Sequence, residues 1–307
     1  MTPSPAPSVT AVIATRNRPE MVREAIESVW TQPYPGRVEV VVVFDQSDPD
    51  HALVRADSDR AVRVVANAHG PGLAGARNTG IEAADTDFVA FCDDDDYWLP
   101  GRLARQVEAL EARPSAALAT CGIRVEYDGE SFDRSLPLTA VSFAELLRDR
   151  HTELHPSTFL LRRSVLLDAV GLVDEEVPGG FGEDYEFMLR AARVDDIVNV
   201  PEPLVVVRWG AQSFFFQRWE TMAAGLTWML ERYPEFETSA RGAARMQGQI
   251  AFAQAAMSHR RQALAWAARA IRRRPAEARS YLAVAVAVGI LRPAWVMSAL
   301  HRRGRGI

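Results

Sequence analysis

Short apolar runs of β-forming residues alternate with helical segments over the first hundred residues. Apolar residues recur at helical spacing between Arg18 and Gln32, and a glycine-rich stretch after Asn67 leads into a second helical segment. The runs with strand character are Val9–Thr15, Val38–Asp45, Ala61–Asn67 and Asp87–Cys92. Because strands that alternate with helices in sequence form sheets covered by helices, we predict an α/β fold with a mostly parallel sheet.

Four consecutive aspartates, Asp93–Asp96, directly follow the last of these strands. Adjacent like charges repel one another and lose hydration wherever the chain packs, so they favour an open surface or the neighbourhood of a cation. Most acidic runs are simply solvated loops. Ligands of α/β proteins, however, bind at the carboxyl ends of the strands, and carboxylates there suit Mg²⁺ or Mn²⁺. The position of the run therefore favours a metal site.

Two glycine-rich segments carry weaker signals. Gly70, Gly72 and Gly75 precede a helix, whose first N–H groups favour phosphate, but their spacing matches neither the P-loop nor the dinucleotide fingerprint. Turn formation explains these glycines equally well. The second segment carries Glu183 and Asp184 into a helix, where acidic residues also serve as caps and partners of the helix dipole.

The charge distribution divides the chain into an acidic body and a basic tail. The net charge at pH 7 is −5, yet the segment from Arg260 to Ile307 holds eleven arginines, no lysine and one acidic residue, Glu277. That tail thus carries +10 and the preceding chain −15. Alanine-rich helical patterns replace strand patterns after Phe215. We predict a flexible lead-in at residues 1–8, an α/β domain at 9–215 and a basic α-helical region at 216–307, with Trp228, Trp266 and Trp295 in its core.

The opening residues and the apolar content argue against secretion or membrane insertion. Residues 1–8, MTPSPAPS, lack the basic and apolar parts of a signal peptide. The apolar stretch Tyr281–Leu291 is shorter than a membrane-spanning helix. Two cysteines, Cys92 and Cys121, form neither a disulfide framework nor a zinc cluster. We expect a cytoplasmic protein with no nucleic-acid partner, whose basic tail either contacts an anionic membrane surface or lies in solvent or against protein.

The order of the motifs is more specific than any one of them. The chain contains VIATRNR, then FDQSD, then GLAGARNTGIEAADTDFVAFCDDDDYWLPGRL, then GGFGEDYEFMLR. Over about residues 9–210 this order closely resembles that of the family 2 glycosyltransferases, which have the GT-A fold. The resemblance implies an enzyme that transfers a sugar, with inversion, from a nucleotide-diphospho-sugar to a hydroxyl group of a glycan, glycolipid or natural product. It also implies Mg²⁺ or Mn²⁺ as cofactor. The alanine- and arginine-rich tail is typical of GC-rich bacteria, where polysaccharide biosynthesis is a common role.

The resemblance assigns roles to individual positions. The metal motif falls on Asp93 and Asp95, with Asp94 and Asp96 as neighbours. Asp184 matches the general base, and Glu183 orients it or caps the helix. The nucleotide would contact Thr15, Arg16, Asn17, Asp45, Arg77, Asp93, Asp94 and Arg208. Asp45 would accept the N–H of the base, whereas Arg77 and Arg208 would lie near the ribose and the phosphates.

Three points stay open at the level of sequence. The family usually has an aspartate where this chain has Phe44 and an aromatic residue where it has Arg16, so the nucleotide is not assigned. His155 either borders the acceptor or satisfies a turn before Pro156, and Arg208 is otherwise a surface arginine. A sugar-nucleotide pyrophosphorylase is one alternative function, although VIATRNRPE lacks the expected glycine-rich loop. A non-catalytic adaptor is another, although the metal-binding acids and the base are present.

Overall fold

The computed structural model describes residues 6–209 and 218–301, and these fall into two compact units. One unit comprises Met1–Phe143, His151–Glu175 and Glu183–Ala211, and the other comprises Ala144–Arg150, Glu176–Gly182 and Gln212–Ile307. The predicted boundary at residues 215 and 216 lies outside the described residues, as do residues 1–5 of the predicted lead-in. Within that lead-in, the carbonyl of Pro7 accepts a hydrogen bond from the Tyr34 hydroxyl, and Ser8 donates to Asp87.

Eleven strands form one mixed sheet in the described part of the first unit. They are β1 (Val9–Thr15), β2 (Val38–Phe44), β3 (Arg55–Ala56), β4 (Arg60–Ala66), β5 (Phe88–Asp93), β6 (Tyr97–Trp98), β7 (Leu118–Tyr127), β8 (Glu130–Arg134), β9 (Ala140–Val141), β10 (Leu160–Arg162) and β11 (Ile197–Arg208). The order is β3-β4-β2-β1-β5-β10-β7-β11-β6, with β8 on β7 and β9 on β11. Strands β4, β2, β1 and β5 are mutually parallel, whereas β10 runs antiparallel to both of its neighbours. The sheet is therefore mixed and not mostly parallel as predicted, because the strands after β5 pair largely in the antiparallel sense.

The parallel part of the sheet brings the ends of three strands to one edge. In the register of β1, Thr15 lies beside Phe44 of β2 and Ala14 lies beside Asp93 of β5. All seven residues of β2 are buried, which explains its continuous apolar run, since strands of a parallel sheet are covered on both faces. Burial of each such valine contributes about 1.5–3 kcal/mol to folding. The residues that follow these strands therefore meet on a rigid platform.

Helices cover this sheet and build most of the second unit. The helices are α1 (Pro19–Trp30), α2 (Leu73–Ala83), α3 (Arg102–Glu111), α4 (Phe143–Arg148), α5 (Arg163–Val165), α6 (Glu183–Val194), α7 (Trp219–Arg232), α8 (Ala240–Ala256), α9 (Arg260–Arg273), α10 (Ala278–Ala287) and α11 (Pro293–His301). Short 3₁₀ or π-helical turns occur at His51–Leu53, Pro156–Thr158, Leu166–Val170, Pro178–Gly180 and Pro234–Thr238. Helix α2 packs on β1 at Gly80, where an added Cβ would lie 2.2 Å from a methyl group of Val12.

The second unit has an alanine-rich core that lets its helices approach closely. Ala251, Ala263 and Ala283 are fully buried between α8, α9 and α10. The predicted core position of Trp295 is wrong: this side chain is 62% exposed on the short helix α11. Trp266 packs against the core but stays partly exposed. No helix in residues 6–209 and 218–301 combines the length and the apolar character needed to cross a bilayer.

Candidate active site

Asp45 follows β2 and is held by a ring of donors. It accepts hydrogen bonds from Asn67 Nδ2 at 2.9 Å, Gln46 Nε2 at 2.8 Å and the backbone N–H of Gly72 at 3.1 Å. Burial alone would raise the pKa of Asp45, but these hydrogen bonds and the charge of Arg16 outweigh it and hold the pKa below its ordinary value. Asp45 is therefore an anionic acceptor in a fixed orientation.

The first glycine-rich segment supports Asp45. A Cβ on Gly75 would lie 2.0 Å from the carbonyl oxygen of Gly70, so only glycine lets the start of α2 fold against this loop. Gly72 has φ +120°, a value that side-chain-bearing residues rarely adopt, and its N–H points to the Asp45 carboxylate. The glycines thus serve as turn formers that deliver a backbone donor to Asp45.

The four aspartates after β5 have different partners. Asp94 is buried and accepts hydrogen bonds from Thr15 Oγ1 and Arg18 Nη1, both at 2.8 Å. The same guanidinium nitrogen donates to Asp95 at 2.9 Å. Asp96, which is 2% exposed, accepts from the Ser157 hydroxyl and from the backbone N–H of Arg208. The four like charges can share one loop because different donors face them.

Compensation of this charge is incomplete. Burial, followed by repulsion from Asp93 and Asp94, raises the pKa of Asp95. Burial, followed by repulsion from Asp93 and Asp95, raises the pKa of Asp96 well above its ordinary range. Burial likewise raises the pKa of Asp94 despite its bonds to Thr15 and Arg18. A divalent cation among these groups would favour their ionised forms and reverse the shifts. The acidic loop therefore suits a cation better than open solvent.

Among the described residues, Asp93, Asp96 and His155 form a group with metal-binding geometry. Each offers one ligand atom, and the three atoms lie within 4.8 Å of one another. His155 also accepts a hydrogen bond at Nδ1 from the backbone N–H of Ser157, at 3.3 Å, so it satisfies the predicted turn as well. Burial lowers the pKa of His155, which favours the neutral imidazole that metals require. Two carboxylates and an imidazole form a donor set that Mn²⁺ accepts.

Arg77 connects this group to the second glycine-rich turn. Its guanidinium is buried and donates to Asp93 Oδ1 at 2.7 Å and to Glu183 Oε1 at 2.9 Å. Burial opposes the charge, but Asp93 and Glu183 outweigh it and raise the pKa of Arg77. Asp184, the next residue after Glu183, is half-buried and lies within electrostatic range of both Arg77 and His155. Arg77 thus brings the acidic loop and the start of α6 to one place.

The other predicted nucleotide contacts occupy the rim of this edge. Arg16 and Asn17 are exposed after β1, and Asn17 has φ 55°, in the left-handed region. The Arg208 side chain donates to Glu24 at 2.6 Å and lies 4.9 Å from the centre of the Tyr97 ring, while its backbone N–H contacts Asp96. The described contacts of the Arg208 guanidinium are therefore with neighbouring side chains of the protein.

Two residues that the sequence interpretation did not single out complete the site. Arg18 neutralises Asp94 and Asp95, and Ser157 donates to Asp96 and accepts from the N–H of Asp93. Arg18 lies in the quoted run VIATRNR, so its position after β1 was a usable signal. Ser157 lies more than sixty residues from the acidic loop in the chain, and only the pairing of β10 with β5 brings its segment close.

Comparison with known proteins agrees with this geometry. The family model "Glycosyl transferase family 2" matches residues 10–169, which is more than half of the chain. The chain belongs to glycosyl transferase family 2. The family and the fold class predicted from the motif order are confirmed.

Individual members of this family match the present chain over only part of their own length. "Succinoglycan biosynthesis protein ExoO" of Rhizobium meliloti is 41% identical over 144 residues, which cover 46% of this chain and 39% of ExoO. The chain also spans less than two thirds of the length of two further curated relatives.

Solved structures share the fold. Staphylococcus aureus TarS 1-349 in complex with UDP-GlcNAc has a TM-score of 0.58 and 19% identity, covering 97% of this chain and 92% of that one. The mannosyltransferase PcManGT of Pyrobaculum calidifontis, in complex with GDP-Man and Mn²⁺, has a TM-score of 0.56 and 19% identity, covering 95% and 83%. The same architecture therefore occurs in both proteins.

Proposed function

We propose that the protein transfers a sugar, with inversion at the anomeric carbon, from a nucleotide-diphospho-sugar to a hydroxyl group of a glycan or glycolipid. The observation that carries the proposal is the double contact of Arg77. It ties Asp93, in the metal-binding group, to Glu183, whose neighbour Asp184 is the proposed base. The residues proposed to stabilise the leaving group and the residue proposed to remove the acceptor proton therefore lie in one site, as a single displacement requires.

The donor-binding part of the proposal rests on Asp45, Thr15 and the acidic loop. Asp45 is a fixed anionic acceptor suited to the N–H of a base, and Arg16 lies within electrostatic range of it. Asp93, Asp96 and His155 would hold Mg²⁺ or Mn²⁺, with Asp95 as the further ligand expected from the family motif. When bound, the cation would neutralise the charge of the departing diphosphate. TarS and PcManGT share the fold and have structures in complex with UDP-GlcNAc and GDP-Man, which supports a nucleotide-sugar donor.

The acceptor-activating part rests on Asp184 and Glu183. Glu183 is buried and its carboxylate contacts the Arg77 guanidinium, so it cannot approach a substrate freely. Asp184 is half-buried at the start of α6 and stands as the group that removes the acceptor proton. Glu183 orients this turn through Arg77. The split of roles between the adjacent acids follows from their different burial and from the contact of Glu183 with Arg77.

Turnover of a sugar-nucleotide panel with Mn²⁺, measured as release of nucleoside diphosphate, tests the proposal. Asp184→Asn should lower turnover by roughly 10²-fold or more and leave donor binding unchanged. Asp168→Asn is the matched control, because Asp168 is an exposed acid outside the site. Normal turnover of Asp184→Asn, or no turnover by the wild type with any donor, would contradict the proposal.

The two alternative functions lose support. The family match covers a glycosyltransferase domain, which disfavours the pyrophosphorylase alternative. Loss of the metal acids or of the base would favour the adaptor alternative, but Asp93, Asp96 and Asp184 are all present. The relative ExoO is a succinoglycan biosynthesis protein, which supports a glycan acceptor for this chain.

We also infer that the basic tail contacts an anionic membrane surface, where glycolipid acceptors lie. Ile290 is 75% and Trp295 is 62% exposed, and the exposed Arg292 lies between them. Exposed apolar side chains beside a cation suit the boundary of an anionic bilayer, and each basic residue contributes about 1 kcal/mol there. Sedimentation with phosphatidylglycerol vesicles should show binding at low salt that the Ile290→Ser/Trp295→Ser variant weakens. No binding of the wild type at low salt would contradict this contact.

A further inference from the structure

Glu175 lies outside the residues assigned above, and several hydrogen-bond donors face its carboxylate. Its Oε2 accepts a hydrogen bond from the backbone N–H of Gly70 at 2.9 Å. Its Oε1 accepts one from Asn78 Nδ2 at 2.8 Å and lies 2.9 Å from His69 Nδ1. Burial alone would raise the pKa of Glu175, but the hydrogen bonds from Asn78 and Gly70 and the charge of His69 hold this pKa below its ordinary value. Glu175 is therefore an anion that connects helix α2 with the loop at residues 67–72, here called the glycine loop.

The backbone that carries Glu175 is itself held in place. Asn78, which is 1% exposed on α2, donates from Nδ2 to the carbonyl of Val173 at 2.9 Å and accepts at Oδ1 from the N–H of Val173 at 2.8 Å. The side-chain amide thus satisfies both backbone groups of Val173. Because Val173 lies two residues before Glu175, the carboxylate extends from a segment that is fixed by a contact in which Gly70 takes no part.

Gly70 links this fixed carboxylate to the proposed nucleotide site. Its N–H is bound by Glu175, and its carbonyl accepts from Asn67 Nδ2 at 3.0 Å. The same nitrogen of Asn67 donates to Asp45 Oδ1 at 2.9 Å. Two residues after Gly70, the N–H of Gly72 donates to Asp45 at 3.1 Å. Two of the donors that orient Asp45 therefore belong to the glycine loop that Glu175 holds.

We propose that Glu175 is a positioning residue for the sugar-nucleotide donor: it holds the glycine loop, and through Asn67 and Gly72 it keeps Asp45 oriented toward the nucleobase. The identity of the ligand rests on the proposed function. Gly70 is exposed, so water can replace the carboxylate as an acceptor, but water does not fix the position of the peptide. Loss of Glu175 therefore weakens recognition of the base and leaves the acidic loop, which would hold the cation and the diphosphate, unaffected.

Isothermal titration calorimetry of the full chain with UDP, dTDP and GDP, each with Mn²⁺, tests this role. Glu175→Met removes both acceptor oxygens at similar size, and it should weaken the tightest of these three complexes by roughly tenfold, the scale of one hydrogen bond to a charged group. Inorganic pyrophosphate with Mn²⁺ lacks a base and should bind this variant and the wild type equally. Glu82→Gln is the matched control and should bind the nucleotide like the wild type, because Glu82 contacts His69 from the other side and has no bond to Gly70 in the described part of the chain.

Glu175→Gln provides a second, conservative comparison. It keeps one oxygen that can accept from the Gly70 N–H, so it should bind the nucleotide more tightly than Glu175→Met and less tightly than the wild type, and it decides the question where Glu175→Met does not fold. Wild-type affinity for the nucleotide in both variants would overturn the proposal, as would a wild type that binds none of the three nucleotides. Equal weakening of nucleotide and pyrophosphate binding would reduce Glu175 to a general structural role and overturn it too. A wild type that binds a nucleotide but turns over no donor would contradict the proposed function alone, so the two failures are distinguishable.

Discussion

Replacement of Arg77 by methionine leaves two carboxylates without their shared cation. Arg77 is 3% exposed and Glu183 is 4% exposed, so the Glu183 carboxylate loses its buried partner at a place that water barely reaches. Removal of one member of a buried ion pair costs about 3–5 kcal/mol. Asp93 adds less, because its side chain is 21% exposed and keeps some hydration. We therefore expect Arg77→Met to lower the free energy of unfolding by about 3–5 kcal/mol.

Urea titration followed by circular dichroism measures this loss, and a second substitution tests its cause. Glu183→Gln in the Arg77→Met background removes the buried carboxylate charge that Arg77 balanced, so it should restore much of the stability but none of the activity. Arg105→Gln is the control, because Arg105 pairs with Glu202 at an exposed position and such pairs contribute about 0–1 kcal/mol. An Arg77→Met variant as stable as Arg105→Gln, or no recovery on adding Glu183→Gln, would refute the argument.

Three further predictions concern the loops around the site. Gly75→Ala should clash with the Gly70 carbonyl and move the Gly72 N–H from Asp45, weakening nucleotide binding by roughly tenfold in calorimetry; unchanged affinity would contradict this. The Glu82 and Glu175 carboxylates raise the pKa of His69, so its stabilising contribution is complete below the unfolded pKa of about 6.5 and disappears as pH rises through the folded pKa. The stability lost in His69→Gln should accordingly be larger at pH 5.5 than at pH 8.5, and an equal loss in urea titrations at both pH values would exclude the ion pair. Asp96→Ala should abolish Mn²⁺ binding measured by electron paramagnetic resonance, and full occupancy would remove Asp96 from the ligand set.

Strands β1, β2 and β5 were predictable from sequence because nearly all of their residues are buried, on both faces of the sheet. The predicted bounds of β1 match the structure in full. The predicted β2 extends one residue too far at its C-terminal end, and the predicted β5 begins and ends one residue too early. Strand β7 was missed, because Arg124 and Glu126, which are only half-buried, interrupt its apolar pattern on either side of the buried Val125. Trp295 was misplaced because helical spacing does not show which face of a terminal helix lacks a neighbour.

The location of the site was predictable, but the partners of each carboxylate were not. A strand end fixes where Asp93–Asp96 lie, and sheet register then places Thr15 and Asp45 at the same edge. The donors to these carboxylates come from distant parts of the chain: Arg18 lies 76 residues from Asp94, and Arg77 lies 106 residues from Glu183. Such pairings depend on tertiary packing, which no local pattern contains.

The anomeric configuration of the sugar released from the donor tests the central claim most directly. In the absence of acceptor, water attacks the donor in its place. Proton NMR of the sugar released from an α-linked donor in the presence of Mn²⁺, recorded before mutarotation, reports the anomeric configuration of the first product. A single displacement assisted by Asp184 predicts the β-anomer, with its rate of formation reduced by roughly 10²-fold or more in Asp184→Asn. An α-anomer as the first product would contradict the inverting displacement and the assignment of Asp184 as its base.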